Sequence, residues 1–335
     1  MKKYNIGVLG ATGAVGRQMV KVLEEYRVPV NELRLLASAK SAGKTMTFCG
    51  KDVVIQEAKE SSFEGLDFVL GAVQANMAKV FAPAIVKSGA VFIDNSSAFR
   101  QQEDVPLVVP EINGADALVN KGIISNPNCS TIITLMAVAA LNKISPIKTM
   151  VACTYQAVSG AGQGGLEELD SQIHAIAAGK SVERKIFPHQ IAMNVIPFIG
   201  SEKENGYTTE EMKMQNEGRK ILHNPDLKVS CTCVRVPVMR SHSIAVTLRT
   251  QKKISVEEAQ KAIASFPGVR FVTDYEGRNY PTPLDTSDQD VVWVGRIRDD
   301  LTSDDGLTLW CCGDQIRKGA ASNAVRILNY IVSKN

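Results

Sequence analysis

Along this chain, short apolar runs alternate with stretches in which apolar residues recur every three or four positions. Residues 5–9 form a compact apolar run suited to a buried strand, and Met19, Val20, Val22 and Leu23 beyond it share one helical face. Residues 33–37, 67–73 and 90–94 read as further strands, with a helix over 77–87 between the last two. This rhythm of strand, helix and strand predicts a doubly wound, Rossmann-type α/β sheet. From residue 148 onward the pattern changes. Strands are expected at 148–155, 231–237, 244–248, 291–298 and 307–311, several of them with strict alternation, and helices at 166–178 and 255–264. That predicts an α+β second domain on a mixed or antiparallel sheet with helices on one face. Thr208 with Glu211, and Ser255 with Glu258, have the spacing of capping boxes and mark helix starts.

Two further helices organise the ends of these domains. Ile132, Leu135, Met136, Val138, Ala139 and Leu141 follow Pro127 at helical spacing, which predicts a buried helix with Cys129 in its first turn. The stretch from Asp314 to Ala321 opens a C-terminal helix that carries Ala324, Val325, Leu328 and Ile331 on one face, suited to returning to the first domain. The expected division is residues 1–127 plus 314–335 against 128–313.

Composition narrows the classes of function. The chain has 335 residues, 44% of them hydrophobic, and a net charge of +3 from 38 basic and 35 acidic residues. No basic run exceeds a pair such as Lys2-Lys3, so nothing favours nucleic acid. The longest apolar windows fall well short of the roughly 20 residues a membrane span requires, and no signal peptide is read. Seven cysteines, an odd number without zinc-like spacing, suit a reducing cytoplasm better than a disulfide framework or a metal site.

The candidate chemistry sits in the turns. Gly10-Ala11-Thr12-Gly13-Ala14-Val15-Gly16 lies between a strand and a helix, where glycines let a pyrophosphate approach the backbone and the helix N-terminus supplies N–H groups. The strand ending at Ala37 is followed by Ser38-Ala39-Lys40-Ser41-Ala42-Gly43, with no acid to grip a ribose hydroxyl. Its hydroxyls and lysine suit a 2′-phosphate, hence NADP over NAD, unless the loop is merely solvated. Arg100 follows the strand at 90–94 in a polar loop and is an anion-site candidate. Cys129, if it does more than pack, is placed where the helix dipole favours the thiolate. Gln156 leads into a glycine-rich loop, Ala157 to Gly165, whose flexible backbone suits close approach to a nicotinamide ring or else an irregular crossover. His242, flanked by Ser241 and Ser243 before a strand, is the histidine best placed for proton chemistry; His189 reads as part of a turn. Glu217 and Lys220 share a helical face, as a ligand pair or as a solvated ion pair.

Taken in order, Gly10 to Gly16, Asn95 to Arg100, Asn126 to Thr131, Gln156 with Ser159-Gly160-Ala161-Gly162, Glu217 to Lys220, Arg235 to His242 and Gln315 to Ala321 resemble the aspartate-β-semialdehyde dehydrogenase family over nearly the whole chain. The resemblance implies NADPH-dependent reductive dephosphorylation of aspartyl phosphate to aspartate semialdehyde in lysine, methionine and threonine biosynthesis. It implies Cys129 as nucleophile through a thioester, His242 as acid/base and Gln156 as substrate-orienting. Arg235 would pair with the α-carboxylate and Glu217 with the amino group, while Arg100, Lys220 and Asn128 would bind phosphate. Gly10 from the glycine turn, with Thr12, Gly13, Ala14, Val15, Lys40, Ser41, Ser159, Gly160 and Gln315, would hold NADP, and a cytoplasmic homodimer would form through the second domain. Two other readings stay open: a reductase of N-acetylglutamyl phosphate, whose acetylated amine does not call for Glu217, and a nucleotide-binding paralogue without activity.

Overall fold

Ile6 and Val8 are wholly buried on one side of the first strand, β1 (Tyr4–Leu9), and Leu9 belongs to the core on the other side. A strand buried on both faces belongs in the middle of a sheet covered by helices. The computed structural model describes residues 2–334 and bears this out. After β1 come α1 (Ala14–Glu25), β2 (Val30–Ala37), β3 (Thr45–Phe48), β4 (Lys51–Glu57), β5 (Phe68–Gly71), α2 (Ala75–Lys87), β6 (Val91–Asp94), α3 (Pro110–Asn113) and β7 (Ile123–Ser125). The sheet order is β3-β4-β2-β1-β5-β6-β7, parallel throughout except for the edge pair β3–β4. The strand order reverses between β1 and β5, the switch point of a doubly wound fold. One core joins Val20 and Leu23 of α1 to Val325 and Leu328 near the C-terminus; the other packs Phe81 and Ile85 of α2 on Phe92.

Residues through Asn128 and those from Ala320 onward make up this unit, and Cys129–Gly319 make up a second. The second contains α4 (Cys129–Ile144), β8 (Ile147–Gln156), α5 (Gln163–Ala177), α6 (Thr209–Ile221), β9 (Lys228–Arg235), β10 (His242–Thr250), α7 (Val256–Ala264), β11 (Val269–Val272), α8 (Pro283–Thr286), β12 (Val292–Asp299) and β13 (Gly306–Gly313). Its six strands run in the order β11-β12-β13-β10-β8-β9, a mixed sheet in which β8–β9 and β11–β12 are parallel. Helix α4 is buried nearly all round and packs with α6 and α7 against one face. On the opposite face Val151 and Tyr155 remain 58% and 37% exposed, and Tyr155 lies 5.5 Å from Trp310, ring to ring.

Several local expectations shift. Both capping boxes form, with Thr208 accepting from the Glu211 N–H and Ser255 from the Glu258 N–H. The glycine-rich loop is shorter than expected, because Gln163, Gly164 and Gly165 already belong to α5 and Val158–Ala161 forms one tight turn. The C-terminal helix does not open regularly at Asp314. Arg317–Ala321 is a π-helical turn and α9 (Ser322–Val332) follows it, packing on α1. The hairpin β3–β4 and the short strands β7 and β11 carry no pattern that separates them from loops, since each is brief or alternates only weakly in burial.

The turn after β1 demands glycine at its first position. Gly10 has φ +86°, and a Cβ there would lie 2.4 Å from the Ala72 carbonyl oxygen. Gly10→Ala is expected to lower the unfolding free energy by at least about 2 kcal/mol, combining left-handed backbone strain with overpacking. Urea denaturation of the variant beside the parent chain measures this.

Candidate active site

Three strand ends of the second unit meet at one edge of its sheet. In the parallel pair β8–β9, Gln156 lies beside Arg235, and in the antiparallel pair β8–β10, Tyr155 lies opposite Ser243, which brings His242 level with the end of β8. Side chains alternate along β8, so Ala152, Thr154 and Gln156 face the helices together. Cys129, the first residue of α4, is half-buried, and its Sγ lies 3.4 Å from His242 Nε2. The first turn of a helix leaves backbone N–H groups without intrahelical acceptors, so this sulfur stands in positive potential.

His242 is fully enclosed. Its Nδ1 accepts the Ala157 N–H at 3.0 Å. Burial, and then the neighbouring Arg235 guanidinium, pull its pKa down to about 3 against the opposing pull of Glu210. Burial also pulls Arg235 below its ordinary value, while charge on Cys129 and Glu210 acts to raise it. Arg235 donates from Nη1 to the Ala157 carbonyl at 2.7 Å and lies over the Phe187 ring. Gly160 lines the same spot: a Cβ there would come within 2.7 Å of Arg235 Nη1 and 3.4 Å of the His242 ring. Gly319 does the same for the thiol, because a Cβ would approach Cys129 Cβ to 2.7 Å.

The loop before His242 is pinned by Gln315, whose Oε1 accepts the Ser241 N–H at 2.8 Å while its amide donates to the Ser159 hydroxyl. Ser241 itself has φ +72°, a left-handed backbone held in place by this bond and by the adjacent Arg240–Asp314 ion pair at 2.6 Å. Ser159, Gly160 and Gln315, three of the expected cofactor contacts, therefore cluster around the imidazole.

Gln156 accepts the Thr154 hydroxyl at 3.0 Å, and its amide donates to Glu210 Oε1 at 3.2 Å. The other oxygen of Glu210 pairs with Lys213 at 2.7 Å. This pair was not among the expected residues. Glu210 and Lys213 have the same spacing as Glu217 and Lys220 on the same helix, so spacing alone cannot choose between them. Glu217 is buried two turns further along α6, about 10 Å away along the axis. The acid that meets Gln156, and whose charge is felt by both Arg235 and His242, is Glu210.

In the first unit, Arg100 is 7% exposed and donates to the Asn95 carbonyl at 2.7 Å. Asn95 is held by Asn126 at 2.9 Å, and Asn126 in turn by Asn323 at 2.7 Å. Burial raises the carboxyl pKa of Asp94 beside this loop, while Ser96 and Arg100 oppose the rise. Asn128 is buried where this unit ends. At the β1–α1 turn the Gly13 N–H donates to the Gly10 carbonyl at 3.1 Å, and α1 has no side-chain cap and no acid in its first turn, so Ala14 and Val15 beside Thr12 start the helix with N–H groups that no side chain caps. A Cβ on Gly13 would meet only the Gly10 carbonyl, at 3.5 Å, which leaves room for a phosphate. Lys40 and Ser41 lie on a short exposed turn directly after β2, and no acid follows that strand. These residues fit a nicotinamide dinucleotide. Among the described residues no group of three or more His, Cys, Asp or Glu is placed to hold a metal ion.

A doubly wound nucleotide-binding unit, together with a second unit carrying a thiol against an imidazole, defines a nicotinamide-nucleotide-dependent oxidoreductase. Comparison with known proteins makes this specific. Residues 5–120 match the family model for the semialdehyde dehydrogenase NAD binding domain, and residues 138–318 match that for the semialdehyde dehydrogenase dimerisation domain. The chain is 47% identical to the aspartate-semialdehyde dehydrogenase of Synechocystis sp. over 98% of its length and 97% of the relative's. It is likewise 47% identical to that of Aquifex aeolicus, covering 99% and 98%. The crystal structure of aspartate semialdehyde dehydrogenase II complexed with ASA from Vibrio cholerae superposes with a TM-score of 0.97 at 40% identity, covering 99% of both chains. The chain belongs to the aspartate-semialdehyde dehydrogenase family.

The depressed His242 pKa has a consequence for stability. Unfolding restores a histidine that protonates near pH 6.5, whereas the folded ring does not protonate until about pH 3. The unfolded chain therefore binds the extra proton, and stability present above pH 6.5 is lost as the pH falls between these values. The His242 contribution to the slope is expected to approach about 1.4 kcal/mol per pH unit. Denaturation from pH 7 to 4 should show that component in the parent chain and its absence in His242→Gln.

Proposed function

We propose that this chain catalyses the reversible, NADPH-dependent reductive dephosphorylation of L-aspartyl 4-phosphate to L-aspartate 4-semialdehyde, through a thioester on Cys129. The observation that carries the reading is the 3.4 Å contact between Cys129 and His242 at the start of a buried helix. A thiolate is the nucleophilic form of cysteine, and helix-start N–H groups with a buried guanidinium nearby stabilise it. It attacks the acyl carbon, phosphate leaves, and sulfur holds the acyl group. When bound, the reduced nicotinamide supplies a hydride to that carbonyl. The negative charge that develops on oxygen then falls near His242 Nε2 and the backbone N–H groups of α4.

The substrate's own charges match the remaining side chains. Arg235 is proposed for the α-carboxylate, with Gln156 orienting the chain between them. Glu210 is proposed for the ammonium group in place of Glu217, because it is the carboxylate joined to Gln156. Lys213 on the same turn, in place of Lys220, is proposed for the phosphate; Arg100 and Asn128 are phosphate ligands on the chemistry of their own polar loops. An acetylated amine has no use for Glu210, which favours a free amino acid over an N-acetylated substrate. NADP over NAD rests on Lys40 and Ser41 with no acid after β2, and a solved relative from Candida albicans is described with NADP. The proposed setting is lysine, methionine, threonine and diaminopimelate synthesis in the cytoplasm; among the described residues no helix is long and apolar enough to cross a membrane.

Semialdehyde should reduce NADP only when phosphate is present, with N-acetylglutamate semialdehyde a far poorer substrate. Cys129→Ala is expected to abolish turnover, by more than about 10⁴-fold; retention of activity in that variant would falsify the thioester route. Glu210→Gln should raise KM for the semialdehyde by about 10-fold to 100-fold with a smaller change in kcat, as expected for loss of a charged hydrogen bond.

A homodimer through the second unit is part of the same proposal. Two register rows, Val151–Thr247–Thr308 and Cys153–Ala245–Trp310, cross the sheet face that carries no helix, and they offer apolar area of the kind subunits cover. Val151→Arg should shift the protein from dimer to monomer in analytical ultracentrifugation.

A further inference from the structure

Two loops of the second unit turn on left-handed residues that are not glycine, Ser241 with φ +72° and Asp288 with φ +59°. Such backbone persists only where the bonds around it over-determine it. Here the bonds come from two consecutive side chains, since Gln315 accepts the Ser241 N–H at 2.8 Å and Asp314 accepts the Asp288 N–H at 2.6 Å. The hydroxyls of Ser241 and Ser287 lie 3.2 Å apart and close the two loops on each other.

Asp314 is wholly enclosed and reaches in two directions. Its Oδ2 takes the Asp288 N–H and lies 2.6 Å from Nε of Arg240, two residues before His242. Its Oδ1 takes the Ile316 and Arg317 N–H groups at 2.8 and 2.9 Å. Its main-chain carbonyl accepts the Gly319 N–H at 2.9 Å, five residues on, which is the bond of a π-turn. Gly319 is the residue on which a Cβ would run into Cys129. One aspartate therefore holds both the loop that delivers the imidazole and the turn that backs the thiol. Arg317 extends the brace: its Nε and Nη2 donate to the two oxygens of Asp290 at 2.8 Å each, and Asp288 Oδ1 lies 3.4 Å from both Arg240 and Arg317.

We propose that Asp314 is the positioning residue that fixes the spacing of Cys129 and His242, by bracing the segments that carry them against the loop at 286–290. The proposal rests on the thiol chemistry above and adds residues that stand behind the reacting groups. A carboxamide of the same size cannot replace this carboxylate. Its oxygen could serve the Oδ1 position, but an NH2 at the Oδ2 position would face two further donors, the Asp288 N–H and Arg240 Nε. Arg235 and Glu210, proposed to hold the substrate, come from β9 and α6, and none of these bonds reaches those elements. The brace therefore acts on the chemical step rather than on capture of the substrate, and a misplacement of about 1 Å is enough to cost about 10²-fold in rate.

The test sets Asp314→Asn and Arg240→Ala beside the parent chain and beside Ser255→Ala, which loses the capping bond of α7 and controls for weakened folding. Asp314→Asn is expected to lower kcat for the semialdehyde by about 10-fold to 100-fold and to leave its KM within about threefold. The Arg240 side chain is 27% exposed and can be lost without emptying a buried site; its removal should lower kcat by at least about threefold, again with KM held. Alkylation of Cys129 by iodoacetamide, followed by mass spectrometry from about pH 5 to 9 in the free enzyme, supplies a readout that lost stability does not move. Its midpoint should rise by at least about half a pH unit in Asp314→Asn and stay at the parental value in Ser255→Ala, because a sulfur that loses a polar partner ionises less readily. An unchanged midpoint in folded Asp314→Asn, a loss carried by KM, or an equal fall in Ser255→Ala overturns the proposal. If Asp314→Asn does not fold, parental kcat and midpoint in Arg240→Ala overturn it instead. Alkylation needs no turnover, so a parent chain inactive on semialdehyde would count against the proposed reaction while the brace is still decided.

Discussion

The register between β8 and β10 is the constraint on which the second unit depends. With Ser243 opposite Tyr155 and Ala245 opposite Cys153, the end of β8 meets the beginning of β10, and the Ala157 N–H reaches the His242 ring. A slip of one residue would turn every side chain on the strand to the other face and take the imidazole out of the site. The parallel register of β9 then adds Arg235 beside Gln156. The position of α4 follows from its composition: a helix apolar on all sides has to be covered on all sides, and the layer between this sheet and its neighbouring helices does that. Its first residue, the thiol, consequently emerges at the sheet edge where the polar strand ends lie.

Placing ionisable groups there is costly, and the structure shows how the cost is met. His242 stays neutral and satisfies one ring nitrogen with a backbone donor. Arg235 keeps a carbonyl acceptor and an aromatic face. Glu210 keeps Lys213 and the Gln156 amide. Other thiols receive the opposite treatment. Burial pushes Cys312 up to about 12 and Cys311 well above its ordinary value, so both remain inert core residues. Environment, rather than residue type, separates Cys129, at a helix start beside an imidazole, from these buried thiols.

In the first unit the same economy appears in backbone form. Gly10 and Gly16 close the turn so tightly that a Cβ on Gly16 would lie 2.1 Å from the Gly10 carbonyl, and the start of α1 beyond it carries no side-chain cap. The asparagine chain from Asn95 through Asn126 to Asn323 ties the Arg100 loop to the end of β7 and to the last helix. A segment more than two hundred residues away in sequence thereby steadies the Arg100 loop. That is the physical role of the C-terminal return.

The elements legible in the sequence were those with strong local causes. Buried strands read as apolar runs, the glycine turn read as glycines because at Gly10 and Gly16 only they fit, and Thr208 and Ser255 announced helix starts through bonds made three residues away. Cys129 and His242 were legible as candidates because each is a reactive type at the edge of an element. What the sequence could not contain was distance. The helix carrying Glu210, Lys213, Glu217 and Lys220 repeats one spacing twice, and only the fold decides which pair meets Gln156. The π-helical turn at Arg317–Ala321 and the partner of the His242 ring were likewise beyond reach, since one answers to close packing against Cys129 and the other is a backbone N–H eighty-five positions away. Local chemistry follows from neighbours in the chain; the charge state and partner of a buried group follow from neighbours in space.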